Sequence, residues 1–312
     1  MKIIFFGSDG FSIKALEACR HAPGMELVLV ATTPPKKKGR GLHLEPSTVF
    51  GYCKAKGIPV VEYPTLRDAK VAVEILALRP DIFVTASYGK LIPPALLEIP
   101  KYRLNVHPSL LPKYRGSAPI HWPILNGDKE TGVSIIDIAE KLDAGDIYYQ
   151  EKIPIDPRAD AAQLASELAR LSYGVLKKVL AQVKDGPLKG TPQNESEASL
   201  APELSKKDGE LSLTTMTAGE MDRKIRGLQP WPGAYCFVNN ERIAILAAGL
   251  CEMTPAEKPG TLLAVEKDGS IHVATREGIL RILKVKPEGK NEMAAADFVR
   301  GRRFQVKDLI TA

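Results

Sequence analysis

The sequence predicts an α/β protein: a mostly parallel sheet covered by helices, followed by a smaller β-barrel. Three observations carry this. Short apolar runs alternate with helix-patterned segments through the first half of the chain, the pattern of a parallel sheet with helical crossovers. Residues 185–204 (DGPLKGTPQNESEASLAPEL) are poor in large apolar side chains and rich in Pro, Gly, Ser and Glu, as linkers are. Beyond them, short strands are separated by turn pairs at Asn239-Asn240, Asp268-Gly269 and Glu277-Gly278, which suggests a small barrel. A chain of 312 residues leaves room for two such domains.

Residues 2–6 (KIIFF) form an apolar strand stopped at Gly7-Ser8-Asp9-Gly10, and Phe11 to Cys19 continue as a helix. Residues 26–33 give a second strand, 46–56 a helix, 58–62 a strand and 66–78 a helix. DIFVTA at 81–86 is a buried strand and YRLNVH at 102–107 another. A short helix is expected over 117–125. Two strands follow at 132–138 and 146–153, joined by a loop over 139–145. Leu164, Leu168, Leu171, Val175, Val179 and Val183 recur at helical spacing, so 163–183 is one long helix. After the linker comes a helix over 218–227.

Composition excludes several classes. An apolar fraction of 44% with 26% charged residues is that of a soluble globular protein. The N-terminus lacks the long apolar core and small-residue cleavage site of a signal peptide, and no apolar run is long enough for a bilayer. Cys19, Cys53, Cys236 and Cys251 form no C-x-x-C pair, so buried free thiols in a reducing compartment are expected, with no zinc site. The expectation is a cytoplasmic protein without a metal. A net charge of +6 leans weakly toward a polyanionic partner.

The most informative segment is Asn105-Val106-His107-Pro108-Ser109-Leu110-Leu111-Pro112. Residues two apart on a strand face the same side, so Asn105 and His107 share one space where the strand runs out. Ligands of open α/β sheets collect at that end, and an amide beside an imidazole can polarise a carbonyl. Taken alone, the pair is explained more readily by a turn-capping asparagine and a packed histidine. The acidic segment over 137–147, where the next two strands meet their loop, contains Asp143 and Asp146. A carboxylate brought to His107 would orient the ring and could accept a proton from an amine, although an acidic loop by itself is usually only solvated.

Together, the NxHxSLLP run and the LDxGD loop resemble the folate-dependent formyltransferase family. The resemblance implies that Asn105, His107 and Asp143 are the catalytic trio, with Asp146 supporting the turn. It makes Ser109, Leu110, Leu111 and Pro112 the folate-loop signature, and Tyr88, Gly89, Lys90, Leu91 and Ile92 the lining of the pterin pocket. It implies a Rossmann-like formyltransferase domain over 1–184, a linker over 185–204, and an OB-like tRNA-binding barrel over 205–312. 10-Formyltetrahydrofolate is the implied co-substrate.

The run Arg226–Ala234 (RGLQPWPGA) resembles the start of the second domain in members that act on methionyl-tRNA. Lys38-Gly39-Arg40-Gly41 sits where those members carry a tRNA-sensing loop. The implied acceptor is initiator methionyl-tRNA, with Lys36, Lys37, Lys38 and Arg40 as tRNA contacts, and the chain is expected to act as a monomer. A short charge run is usually a solvated loop. Here four cations flanked by prolines and glycines, with no acid from Thr33 to Leu44, favour a phosphate contact. Trp231, between two prolines, is expected to be a packing anchor. Ser8-Asp9-Gly10-Phe11 departs from the family's usual Thr-Pro-x-Phe turn.

Three rivals stand beside this reading. A glycinamide ribonucleotide or amino-sugar formyltransferase shares every catalytic residue and differs in the second domain and basic loop. A non-enzymatic OB-type RNA-binding protein explains the charge but not NVHPSLLP. A nicotinamide oxidoreductase could use the turn at Gly7-Ser8-Asp9-Gly10, but the three-glycine fingerprint is missing.

Overall fold

A computed structural model describes residues 1–38, 43–251, 253 and 255–310. The chain divides into two compact units. The first comprises Met1–Ile120, Glu130–Pro154 and Leu164–Pro202, and the second His121–Lys129, Ile155–Gln163 and Glu203–Ala312.

The first unit contains β1 (Lys2–Gly7), α1 (Gly10–Arg20), β2 (Glu26–Thr32), β3 (Lys36–Lys38), β4 (His43–Glu45), α2 (Thr48–Lys56), β5 (Val60–Glu62), α3 (Ala69–Ala77), β6 (Ile82–Ala86), α4 (Pro94–Leu97), β7 (Tyr102–His107) and β8 (Arg115–Gly116). After α5 (His121–Asn126), which belongs to the second unit, come β9 (Glu130–Asp137), β10 (Ile147–Pro154), the long α6 (Ala161–Asp185), which belongs to the first unit from Leu164 onward, and β11 (Leu200–Ala201). The main sheet runs β10-β9-β7-β6-β1-β2-β5. Its five strands from β7 to β5 are parallel, while β9 and β10 are antiparallel. The central strands carry unbroken apolar runs because both faces are covered: Ile3 to Phe6 and Ile82 to Val84 have no exposed surface. The long helix α6 buries Leu164, Leu168, Val175, Val179 and Val183, the stripe its spacing predicts.

Helix α5 is shorter than the sequence suggests. Pro119 offers no N–H and biases Ala118 toward extended backbone, and the Ala118 N–H instead donates to the Ala201 carbonyl at 3.0 Å. The basic stretch Lys36–Lys38 is a strand rather than a loop: β3 pairs antiparallel with β4, Lys36 opposite Glu45. The linker-like segment is also more structured than its composition predicts. Gly186 to Pro202 clusters with the first unit, and β11 pairs in parallel with β8.

The second unit adds α7 (Ala218–Gly227), β12 (Ala234–Val238), β13 (Glu241–Cys251), β14 (Leu262–Val265), β15 (Ile271–Ala274), β16 (Ile279–Pro287), β17 (Met293–Ala294) and α8 (Ala295–Gly301). Its six-stranded sheet is antiparallel throughout, in the order β12-β13-β16-β15-β14 with β17 on β16. Met221, Ile225, Ile243, Leu262, Leu280 and Val299 belong to its core. Thr217 and Glu220 form a capping box on α7, which satisfies orphan N–H groups at the helix start. Asn239 and Asn240 both have positive φ, 49° and 63°, as the tight β12–β13 turn requires. Trp231 is 53% exposed. It is not the packing anchor that its flanking prolines suggest. Among the described residues no helix is long and apolar enough to cross a membrane.

Candidate active site

Strand β7 ends the parallel part of the sheet, and His107 is its last residue. Tyr102, Leu104 and Val106 are buried in the sheet's packing, so Asn105 and His107 project from the other face. In register, Asn105 lies opposite Thr85 of β6 and Ile136 of β9, and His107 opposite Ser134.

His107 is 4% exposed. Its Nε2 lies 2.9 Å from the Tyr114 carbonyl. A carbonyl only accepts, so Nε2 carries the proton and Nδ1 is the nitrogen turned to Asp143, 3.6 Å from Oδ2. Asn105 is set by its neighbour: the Thr85 hydroxyl donates to Oδ1 at 2.6 Å. Nδ2 then donates one hydrogen to Asp143 Oδ1 at 3.2 Å and carries a second.

Asp143 reaches this place from the loop between β9 and β10. Its backbone is left-handed, φ 52°, which an aspartate tolerates at a cost that the surroundings must outweigh. The Gly116 N–H donates to its Oδ2 at 2.9 Å, and the side chain is 9% exposed. Gly145 follows because a Cβ there would strike the Asp137 carbonyl oxygen. Asp146 is exposed. Its carbonyl accepts the Asp137 N–H at 2.9 Å and closes the loop.

The Ser109–Pro112 run is knit into the same end of the sheet. The buried Ser109 hydroxyl donates to the Lys113 carbonyl at 2.7 Å. Ser134 Oγ donates to the Ser109 carbonyl at 2.6 Å and accepts the Leu111 N–H at 3.1 Å. Gln150 Nε2 donates to the Leu111 carbonyl at 2.7 Å. Leu111 is buried, Leu110 and Pro112 partly so.

The 88–92 loop divides by role. Tyr88 is buried with its ring edge-on to Phe6, 5.4 Å between centroids, and burial pushes its phenol up to about 12. Gly89 takes φ 73°. Lys90 Nζ donates to the carbonyls of Tyr63 and Pro64 at 2.7 and 2.6 Å. Desolvation, with Lys36 nearby, holds its ammonium below the usual lysine range. Leu91 is 76% exposed, whereas Ile92 packs on the core. Lys36 and Lys37 are exposed on β3, Lys38 is the last residue of that strand, and Arg40 lies outside the described residues.

The structure thus brings Asn105, His107 and Asp143 together, with the 109–112 run adjoining. Sequence reasoning missed the residues that hold them: Thr85, Ser134, Arg115 and Gln193. Thr85 carried a signal, being the hydroxyl in an otherwise apolar strand end. Gln193 carried none, since its neighbours read as a tether. Among the described residues no group of three or more His, Cys, Asp or Glu could hold a metal ion. An amide donor, an imidazole and a carboxylate at one point suit a reaction in which negative charge grows on an oxygen while a nearby atom gives up a proton.

The formyl transferase family model matches residues 1–180, and the model of the formyl transferase C-terminal domain matches residues 203–303. The chain belongs to the formyl transferase family. It is 41% identical to a methionyl-tRNA formyltransferase of Dictyoglomus turgidum over 310 residues, covering 98% of each chain. It is 40% identical to that of Thermus thermophilus over 303 residues, covering 96% of each. Its fold is similar to an N-formyltransferase of Helicobacter canadensis solved with folinic acid and dTDP-3-aminofucose, with a TM-score of 0.64 and 20% identity over 90% of this chain and 98% of that one. HypX of Aquifex aeolicus, solved with tetrahydrofolic acid, gives a TM-score of 0.64 at 19% identity over 99% of this chain and 48% of that one. At such identities the likeness concerns the fold.

Proposed function

We propose that this member of the family transfers the formyl group of 10-formyltetrahydrofolate to the free amino group of initiator methionyl-tRNA. The observation that carries the reading is the convergence of Asn105, His107 and Asp143, within a chain that aligns end to end with methionyl-tRNA formyltransferases. The donor set fits a formyl carbonyl. The second Nδ2 hydrogen of Asn105 can meet its oxygen, and when the His107 ring carries a second proton, on Nδ1, that proton is not drawn into a short bond with Asp143, since 3.6 Å exceeds a hydrogen bond. 10-Formyltetrahydrofolate would supply the formyl carbon that the amine attacks; the bond from that carbon to the folate nitrogen would break, and tetrahydrofolate would leave with a proton on that nitrogen.

The residues divide the work. Asn105 and His107 stabilise the negative charge that develops on the formyl oxygen. Asp143 orients Asn105 by accepting its Nδ2 hydrogen, while the Tyr114 carbonyl orients the His107 ring; Asp143 also takes up the amine proton, directly or through water. Ser109–Pro112 and the 88–92 loop line the folate side, the former through backbone groups because the Ser109 hydroxyl bonds within its own loop. Lys36, Lys37, Lys38 and Arg40, together with the antiparallel second unit, hold the acceptor arm through phosphates and shape. Free cysteines fit a cytoplasmic enzyme, and one chain carries both units, so the reading needs no second copy.

The test offers the protein 10-formyltetrahydrofolate with methionyl-tRNA, glycinamide ribonucleotide or an amino sugar nucleotide. The reading expects kcat/KM to be highest for methionyl-tRNA. A higher value for either small amine would contradict it.

A further inference from the structure

The segment from Thr191 to Ala201 has the composition of a tether, yet it crosses both loops that shape the active site. Thr191 exchanges backbone hydrogen bonds with Ile147, at 2.8 and 2.9 Å, just past the Asp143 loop. Ser199 accepts the Arg115 N–H at its carbonyl, 2.9 Å, and the Tyr114 N–H at its hydroxyl, 3.0 Å. Leu200 and Ala201 then pair with Arg115 and Gly116. Between these ends lies Gln193. Its Nε2 donates to the carbonyls of Asp143 and Gly145 at 2.8 and 2.7 Å. Its Oε1 accepts from Arg115 Nε and Nη2 at 3.0 and 2.8 Å. A glutamine offers two donors and two acceptor sites, and here each has a partner.

The two sides of that amide matter to the same carboxylate. On one side Gln193 fixes the carbonyls around the left-handed Asp143. On the other it grips Arg115, whose neighbour Gly116 donates its N–H to Asp143 Oδ2. Arg115 is 4% exposed, so its charge must be met inside the protein, and Glu195 meets it from the same segment at 2.7 Å. We infer that Gln193 is a positioning residue for the formyl transfer reaction: it sets the Asp143 carboxylate against Asn105 and His107 by tying the Asp143 loop to Arg115.

This rests on the catalytic reading above, and Gln193→Glu separates the two. The change keeps size and still accepts from Arg115, but a carboxylate cannot donate to the Asp143 and Gly145 carbonyls. The expected result is a fall in kcat of ~10²-fold, as for a catalytic group displaced by about 1 Å, with KM for both substrates within about twofold of wild type. In an Asp143→Ala background the same change should cost nothing further, because residues acting as one unit are not additive. Gln193→Asn, one methylene too short to reach both loops, should show the same pattern if the glutamate variant does not fold. A kcat within about threefold of wild type for a folded variant overturns the inference. So does a loss confined to KM, or a full multiplicative loss in the Asp143→Ala background. A wild type that formylates only a small amine would instead sink the methionyl-tRNA reading, and Gln193 would then be judged on that amine.

Discussion

Thr85 and Asn105 stand opposite each other on neighbouring parallel strands, and the Thr85 hydroxyl donates to Asn105 Oδ1 at 2.6 Å. That bond decides which way the amide faces. Thr85→Val keeps the shape but leaves Oδ1 against a methyl group, so the amide loses its reason to hold Nδ2 toward Asp143. One hydrogen bond is worth about 0.5–1.5 kcal/mol net, so kcat should fall about tenfold with KM little changed. Thr85→Ser should restore it. Steady-state kinetics of the two variants decide the matter: a valine variant with wild-type kcat would mean that Asn105 is oriented by something else.

The choice between the two loop carboxylates can be tested directly. Asp143→Asn keeps the side chain's size and loses its charge beside His107, whereas Asp146→Asn changes an exposed residue. The first should reduce turnover strongly and the second hardly at all. Asn105→Ala, removing a donor to the developing charge, should cost ~10²–10³ in kcat. Damage from Asp146→Asn with a silent Asp143→Asn would reverse the assignment.

Glu195 gives a pH signature. Hydrogen bonds from Arg115, and then Lys141, hold its carboxyl down to about 2, well below its ordinary 4.5. A depressed folded value means stability that is present above the unfolded value and lost as pH falls through the folded one. The difference in urea midpoint between wild type and Glu195→Gln should therefore be full at neutral pH. It should shrink from about pH 4.5 downward and vanish near pH 2. A difference unchanged across that window would mean that the ion pairs contribute nothing in solution.

The basic strand makes a separate claim about tRNA. Lys36→Ala should weaken binding of initiator and elongator methionyl-tRNA alike and flatten the salt dependence by roughly one unit of slope. Arg40→Lys keeps the charge but loses the planar fork of donors, so it should narrow the preference for the initiator. The measurement is kcat/KM for both tRNAs at two salt concentrations. Wild-type behaviour of Arg40→Lys on both would leave the stretch as an electrostatic arm only.

Much of this was legible in the sequence where local pattern and tertiary role coincide. KIIFF and DIFVTA are apolar because both faces of a central parallel strand are buried. The Leu164–Val183 stripe gave α6, and NVHPSLLP marked the end of β7. What escaped depends on long-range pairing. Lys36–Lys38 form a strand only because His43–Glu45 lie alongside them. Gln193 sits in a polar segment, and its partners, Asp143 and Arg115, are 50 and 78 residues away. Composition records that such a segment is polar and says nothing about what its polar groups meet.

The most direct test of formyl transfer at this site is a single-turnover reaction of the wild type and Asp143→Asn with 10-formyltetrahydrofolate and methionyl-tRNA, the aminoacyl group then being released and identified by mass. Formylmethionine is expected from the wild type and a rate lower by orders of magnitude from Asp143→Asn, with both proteins binding the tRNA equally. Unmodified methionine from the wild type, or equal rates from the two proteins, would contradict transfer at this site.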